Sequence, residues 1–457
     1  MTKDVSKKEQ YKQTLHLIDN WLDFQVYVKE IPGIAVGVFV EDEIIFKKEY
    51  GYANLETKTK LTDQHLFRIA SHSKLFTATA IMKLYHEEKL SIDDKVSKHL
   101  PWFTSEKDEN VQHVRIHHLL THSSGISRDG ETAHWYNYNF PGKEEIMSQV
   151  KDGITFFGTS EVLKYSNFGF TLLGLIVEAV SGKTYQEYIQ EEIFDLLKMT
   201  NSVVDVNESN IDKHATGYHI KYPGKDREKF EHVPANVMHA ATGLSSTVED
   251  MIKFYKAHML GNDILFPDYI KREMQRSQFR FNDIERGLGF GVAKMPTKDL
   301  YGHGGGYPGF ITRSGLFKDE NIIIVVLTNA VNGPASQLLI GIKAIMEKYE
   351  KEKVKLEAKE GEKIPDMSEI VGFYISDWGQ SLFTQIDSKL IEVGPGVDNP
   401  AEALEILEHV EGLKFKNSKE MSFSSPGQII EFVKGPDGKM VFIDSHRGEN
   451  KRFEFNY

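Results

Sequence analysis

No cysteine occurs among the 457 residues, which excludes disulfides, zinc–thiolate sites and thiol catalysis together. Long apolar runs are missing as well, and no segment approaches the ~20 residues that cross a bilayer. Positive charge is in deficit: 67 acidic residues face 55 lysines and arginines, a formal net charge of −12. Nucleic acid and anionic membrane both require a cationic face, so neither is an expected partner. The 18 histidines include no His-Glu-x-x-His. His113, His117, His118 and His122 cluster by sequence without an evident carboxylate partner, so no metal and no cofactor is expected. The N-terminus, Met1 to Gln10, carries charge with no apolar h-region after it. A soluble, cytoplasmic protein without a secretory signal is the expectation.

What is present suits a globular chain with a sizeable core and more than one domain: 40% of residues are hydrophobic and 27% charged. Residues 8–30 form an amphipathic helix with Leu15, Ile18, Leu22 and Val26 near its apolar stripe. Gly33–Val40 reads as a buried strand, turned at Glu41-Asp42-Glu43 into its hairpin partner from Ile44. The run Ser71 to Tyr85 has Leu75, Ala78, Thr79, Met82 and Tyr85 near helical spacing. A short helix at Ile116 to Leu120 ends in His122-Ser-Ser-Gly125, where glycine suits a C-terminal cap. Further helices are predicted at Phe168–Val180 and Tyr185–Leu197, and a capping box at Gly243–Asp250 opens one that runs to Leu260. Residues 218–238 are polar and read as a surface excursion or lid. From Gly287 to Ala330 the chain is strand-like, with Ile322–Asn329 apolar enough for a central strand. A helix at Leu338–Glu350 closes this domain, and the charge-dense residues after it read as a linker. Beyond Ile370 come short alternating stretches separated by turns, with one short helix near Glu402 to Leu407. That pattern marks a small antiparallel β-domain, closed or nearly so.

Three short motifs carry the chemistry. Ser71 and Lys74 stand three positions apart, on one face of a helix and within reach of each other. A lysine buried at a helix start loses hydration and tends to neutrality, and a neutral amine can take the proton of a serine hydroxyl. Ser-x-x-Lys alone is matched far more readily by a capping serine and an exposed lysine. Ser73 also neighbours Lys74, but adjacent positions diverge on a helix, which favours Ser71. Tyr165 and Asn167 precede the Phe168 helix, on a loop able to face a cleft. A cationic amine beside Tyr165 would favour its phenolate as a general base, and Asn167 offers an amide for a substrate carbonyl. Gly302-His-Gly-Gly-Gly-Tyr-Pro-Gly309 places five glycines in eight residues just before a strand. Such a run permits close approach by a ligand, and its N–H groups could bind an oxyanion; a flexible hairpin is the plainer alternative. It is not a phosphate loop, since no Gly-Lys-Ser/Thr opens a following helix. Trp135, Tyr136 and Tyr138 could line a cleft, although aromatics at such spacing more often serve as core or surface cover.

In this order, Ser-x-x-Lys, Tyr-x-Asn and His-Gly-Gly resemble the serine β-lactamase and penicillin-binding-protein family, in its class C, D-alanyl-D-alanine carboxypeptidase and family VIII esterase branch. The likeness covers roughly residues 10–350, including Phe67-Arg-Ile-Ala-Ser, His118-Leu-Leu-Thr-His-Ser-Ser-Gly, Ala241-Thr-Gly-Leu-Ser-Ser-Thr-Val-Glu-Asp and Val326-Leu-Thr-Asn. It implies Ser71 as the acylated nucleophile, with Lys74 and Tyr165 sharing proton transfer. It further implies Asn167, Gly304 and Gly305 at the substrate, and an oxyanion hole from the N–H groups of Ser71 and Gly306. His303 stands where β-lactamases of this family usually carry lysine, which fits peptidase and esterase members better; there a histidine can assist proton transfer or hold a substrate terminus. The C-terminal stretch looks like the lipocalin-like barrel appended in some peptidases of the family, including archaeal ones acting on D-amino-acid peptides. In such relatives the barrel can promote homo-oligomers that enclose the active sites.

The expected fold is therefore α+β: a serine β-lactamase-like domain over 1–350 (an antiparallel sheet flanked by helices, plus an all-helical subdomain), a charged linker over 351–365 and a β-barrel over 366–457. The expected activity is acyl-enzyme hydrolysis of short peptides, D-residues included, or of small esters. Weak lactam turnover is one alternative. The other is a catalytically silent protein that binds a ligand or organises an assembly.

Overall fold

The computed structural model describes residues 6–294, 298–358, 364–417, 426–444 and 448–455. Its contacts group the chain into two compact units, 32–335 and a second made of 1–31 with 336–457. That differs from a division at 350, because the helices at both ends of the expected first domain group with the barrel.

The chain opens with helices α1 (Lys7–Lys12) and α2 (Leu15–Val28), so the single helix expected over 8–30 is two. Thr14 turns its hydroxyl back to donate to the Tyr11 carbonyl at the break. The unit 32–335 is built on an antiparallel nine-stranded sheet in the order β3-β2-β1-β11-β10-β9-β8-β7-β6. Its members are β1 (Gly33–Val40), β2 (Glu43–Asn54), β3 (Thr59–Lys60), β6 (Phe279–Phe281), β7 (Ile284–Arg286), β8 (Gly291–Lys294), β9 (Asp299–Tyr307), β10 (Phe310–Phe317) and β11 (Ile322–Thr328). The pair β4 (Phe67–Arg68) and β5 (Ser245–Ser246) stands apart. Strands β1 and β11 are buried along their whole length, as their unbroken apolar sequences demand, and pair with Val36 opposite Val326.

Helix α3 (Ser73–His86) lies in the helical layer with α4 (Ile116–Leu120), α5 (Asn167–Ser181) and α6 (Val248–Ala257). Every residue of α3 from Ser73 to Leu84 is buried, so it is a core helix on all its faces. Phe76 stacks on Phe254 of α6 with ring centroids 4.0 Å apart. Gly37 of β1 lets α6 approach: a Cβ there would stand 2.3 Å from a Val248 methyl. The left-handed residue that directly follows the C-cap of α4 is His122 (φ 59°); Gly125 is left-handed as well (φ 73°) but lies further along the loop.

In the second unit, α7 (Ala335–Leu356) runs through residues 351–356 of the expected linker. Charge there supports a helix: Lys343–Glu347, Lys348–Glu352 and Lys353–Glu357 are i,i+4 pairs, and Leu356 is buried at the end. Residues 359–363 of that expected linker lie outside the described ones. The remaining strands are β12 (Gly372–Ser376), β13 (Gly379–Ile386), β14 (Lys389–Val393), β15 (Leu404–Ile406), β16 (Glu408–Glu411), β17 (Lys414–Lys416), β18 (Ile429–Lys434), β19 (Met440–Asp444) and β20 (Gly448–Phe453). They form one antiparallel sheet, ordered β15-β14-β13-β12-β20-β19-β18-β17-β16, that curls into a nearly closed barrel around Tyr374, Phe383, Phe415, Phe432 and Phe442. The expected helix at 402–407 is instead strand β15: Ile406 pairs with Ile391 and Leu404 with Val393, so sheet pairing overrides helical propensity.

Candidate active site

Strand β4 leads into a 3-10 turn, Ala70–His72, which opens directly into α3. Ser71 therefore sits on the turn ahead of the helix, one step before the position its motif suggests. Ala70 adopts left-handed backbone geometry (φ 52°), which costs a non-glycine residue about 1 kcal/mol and marks a local constraint at the serine. The turn packs on β9. A Cβ at Gly305 would lie 2.5 Å from the Ile69 carbonyl oxygen and 2.3 Å from Thr312 Oγ1. Gly305 is thus a glycine because the nucleophile turn rests on it, rather than because substrate needs the space. Ser71 is half-buried at the cleft. Ser73 is fully buried, donates to the Ala70 carbonyl at 2.6 Å and accepts from the Leu244 N–H at 3.0 Å. Its hydroxyl is committed to the fold.

Lys74 has no exposed surface. Its Nζ lies 2.7 Å from Asn167 Oδ1, 2.7 Å from the Ala241 carbonyl and 3.3 Å from Ser71 Oγ. Burial drives its pKa well below the usual lysine value; the Asp129 charge opposes this, and the Arg128 and Arg286 guanidinium groups reinforce it. A neutral amine has two N–H bonds and one lone pair. Asn167 and Ala241 accept the two hydrogens, which leaves the lone pair for the Ser71 hydroxyl.

Ser166 caps α5 by accepting from the Gly169 N–H at 2.8 Å, and this fixes Tyr165 just outside the helix and Asn167 at its first position. Tyr165 donates its hydroxyl to Ser71 Oγ at 2.9 Å. The expected phenolate is not favoured: burial pushes Tyr165 up to about 12, beyond what the Ser71 hydrogen bond and the Arg128 and Arg286 charges recover. The expectation assumed a cationic neighbour, whereas burial disfavours the charge on Lys74 as well. His122 holds the tyrosine in place, its ring 4.3 Å from the phenol ring and its Nδ1 accepting from the Ser166 N–H.

His303 lies on β9 beside Tyr165, ring centroids 6.0 Å apart, and its Nδ1 donates to the Gly304 carbonyl at 2.6 Å. Burial first, then the charges of Lys74 and other cationic groups, depress its pKa well below that of a free imidazole. Among the described residues no hydrogen bond joins it to Ser71. Gly304 pairs with Arg313 and Gly306 with Ile311 across β9 and β10, and Gly306 is the exposed glycine of the run. Ser71, Lys74, Tyr165 and Asn167 thus converge directly, with the glycine strand alongside.

Asp129 was not singled out by sequence, since no pattern marks it in Ser127-Arg-Asp-Gly. It accepts from Asn167 Nδ2 at 2.6 Å and pairs with Arg128 Nε at 3.1 Å. Burial alone would raise it, but the donors of His134, Asn167 and Trp135, with the Arg128 charge, hold it down to about 2. The carboxylate therefore fixes the Asn167 amide with its oxygen toward Lys74. Replacing Asp129 by asparagine is expected to lower kcat/KM by ~10- to 100-fold through loosened geometry. The acidic limb of the pH–rate profile should also move to lower pH, because the charge that favoured protonated Lys74 is gone; steady-state kinetics across pH checks both.

A serine held between a buried amine and a phenol beside a glycine-lined strand, on this mixed fold, fits the β-lactamase and penicillin-binding-protein family. The chain belongs to the beta-lactamase family, whose profile matches residues 22–342. It is 29% identical over 308 residues to penicillin-binding protein 4* of Bacillus subtilis (strain 168), covering 63% of this chain and 66% of that protein. It is 28% identical over 204 residues to protein flp of Staphylococcus aureus (strain MRSA252), covering 45% of this chain and 41% of that one. The match thus spans less than two thirds of either relative's length. In fold it is similar to the octameric penicillin-binding protein homologue from Pyrococcus abyssi, with a TM-score of 0.63 and 23% identity over 96% of this chain and 100% of that one. The D-amino acid amidase from Ochrobactrum anthropi SV3 is similar as well, with a TM-score of 0.62 and 23% identity over 69% of this chain and 92% of that one.

Proposed function

We propose that the protein hydrolyses short peptides, including those with a D-residue beside the scissile bond, or small esters, through an acyl-enzyme on Ser71. The observation that carries this is one hydroxyl held 3.3 Å from a buried amine and 2.9 Å from a buried phenol. Lys74 accepts the Ser71 proton as Oγ bonds to the substrate carbonyl carbon. The carbonyl oxygen takes up the negative charge against the Ser71 and Gly306 N–H groups, within the positive potential of Arg286 and Arg313. As the tetrahedral intermediate collapses, the C–N or C–O bond breaks, the leaving group takes a proton from the Tyr165 hydroxyl, and the phenolate takes up the proton that Lys74 had acquired from Ser71. Water then repeats the sequence on the ester, returning Ser71 and releasing the acid.

A histidine at 303, held neutral, suits this chemistry better than the fixed cation a lactam carboxylate would meet. The D-residue preference rests on the D-amino acid amidase among the fold neighbours, and self-association on the octameric homologue. The test is a panel of D- and L-amino-acid p-nitroanilides, p-nitrophenyl acetate and nitrocefin on wild type and Ser71→Ala. Ser71-dependent turnover of anilides or esters above nitrocefin is expected. No turnover of any, with no labelling by a fluorophosphonate, would favour a silent binding protein.

A further inference from the structure

Trp135 has a use that neither the core nor the chemistry above claims. It is 36% exposed, while His134 beside it is fully buried. Its ring stands edge-on to Phe140 and to Tyr307, with centroids 5.1 and 5.9 Å away. That base is rigid. Tyr307 donates its hydroxyl to the Val233 carbonyl at 3.0 Å, Phe140 stacks on its ring, and the Arg68 guanidinium lies 4.4 Å from the ring centroid. The Trp135 indole also lies near Asp129, the carboxylate that accepts from Asn167, and helps to hold it ionised. Trp135 thus stands beside the Asn167–Asp129 pair on one side and packs on the residue following Gly306 on the other.

We infer that Trp135 walls the subsite for the acyl part of the substrate, and that this subsite takes an aromatic or other large apolar side chain. The inference rests on the acyl-enzyme proposal above. The leaving group must depart beside its proton donor, Tyr165, so the acyl part occupies the side marked by Asn167, Asp129 and Trp135. An indole braced by Phe140 and Tyr307 presents its remaining surface to a ligand at little entropic cost, and rings meet it edge-on or offset with more gain than an alkyl group of small area.

The experiment compares kcat/KM for phenylalanine p-nitroanilide with that for alanine p-nitroanilide, as D and L enantiomers, in wild type, Trp135→Ala and Trp135→Phe. In these compounds the amino acid is the acyl part. Wild type is expected to prefer phenylalanine by ~10-fold or more in the accepted enantiomer, the contrast an apolar pocket of fixed shape supplies. Trp135→Ala should bring that ratio toward one, and Trp135→Phe should keep most of it. An unchanged ratio in Trp135→Ala overturns the assignment, as does an equal loss on both compounds, which marks a structural role. A wild-type ratio near one with Ser71 still labelled by a fluorophosphonate overturns the subsite alone. Absence of labelling removes the acyl-enzyme proposal and this one with it.

Discussion

Ser71→Ala is expected to lower kcat on any accepted ester or anilide by ~10⁴-fold or more and to abolish covalent labelling by a fluorophosphonate. The effect is large because Lys74 and Tyr165 act only through this hydroxyl: with Oγ gone, the amine and the phenol have nothing to activate. The neighbouring hydroxyl cannot substitute. Ser73 is buried and bonded to Ala70 and Leu244, on the inner side of the turn. The fold should survive, since Ser71 is half-buried and alanine is compatible with the turn. Circular dichroism and an unchanged melting temperature, measured on the same sample, check that the loss is chemical.

Lys74→Met should cost nearly as much, ~10³-fold or more in kcat/KM, since it keeps the buried volume and removes the base. Three interactions end with the amine, and two of them, to Asn167 and the Ala241 carbonyl, orient it. In wild type the rate should climb as pH rises through the lowered lysine pKa and then stay level. The sign follows from the base being active when deprotonated: burial lowers the pH at which it becomes so. Phenol ionisation brings no downturn below about 12. In Lys74→Met the rising limb should disappear. A limb that persists would assign the titration to another group.

The convergence of Ser71, Lys74 and Tyr165 was legible in sequence because each member lies in a short motif whose spacing carries geometry. Ser71 and Lys74 meet through the i,i+3 step, and Tyr165 and Asn167 straddle a helix start. The drift of a buried Lys74 toward neutrality was legible too, but the state of Tyr165 was not. The apolar stripe at Leu75, Ala78 and Met82 suggests one buried face of α3, while tertiary packing buries all of it, and with it Lys74. The same burial reverses the expected ionisation of Tyr165. Asp129 left no local trace, because its partner Asn167 is far away in sequence and a lone carboxylate has no pattern. The barrel strands were legible through alternation, yet Leu404–Ile406 resembled a helical turn until sheet partners fixed it as β15. Charge density at 351–356 read as a linker, whereas i,i+4 pairing makes it the last turns of α7.

The claim beneath all of this is that a buried, neutral Lys74 makes Ser71, and no other hydroxyl, the site of acylation. The direct measurement is peptide mapping by mass spectrometry of wild-type protein treated with a fluorophosphonate at neutral pH. One adduct per chain, on Ser71 in the peptide spanning Phe67 to Lys74, is the predicted result. An adduct on Ser73 or elsewhere, or a Lys74→Met variant that labels as fast as wild type, would contradict it.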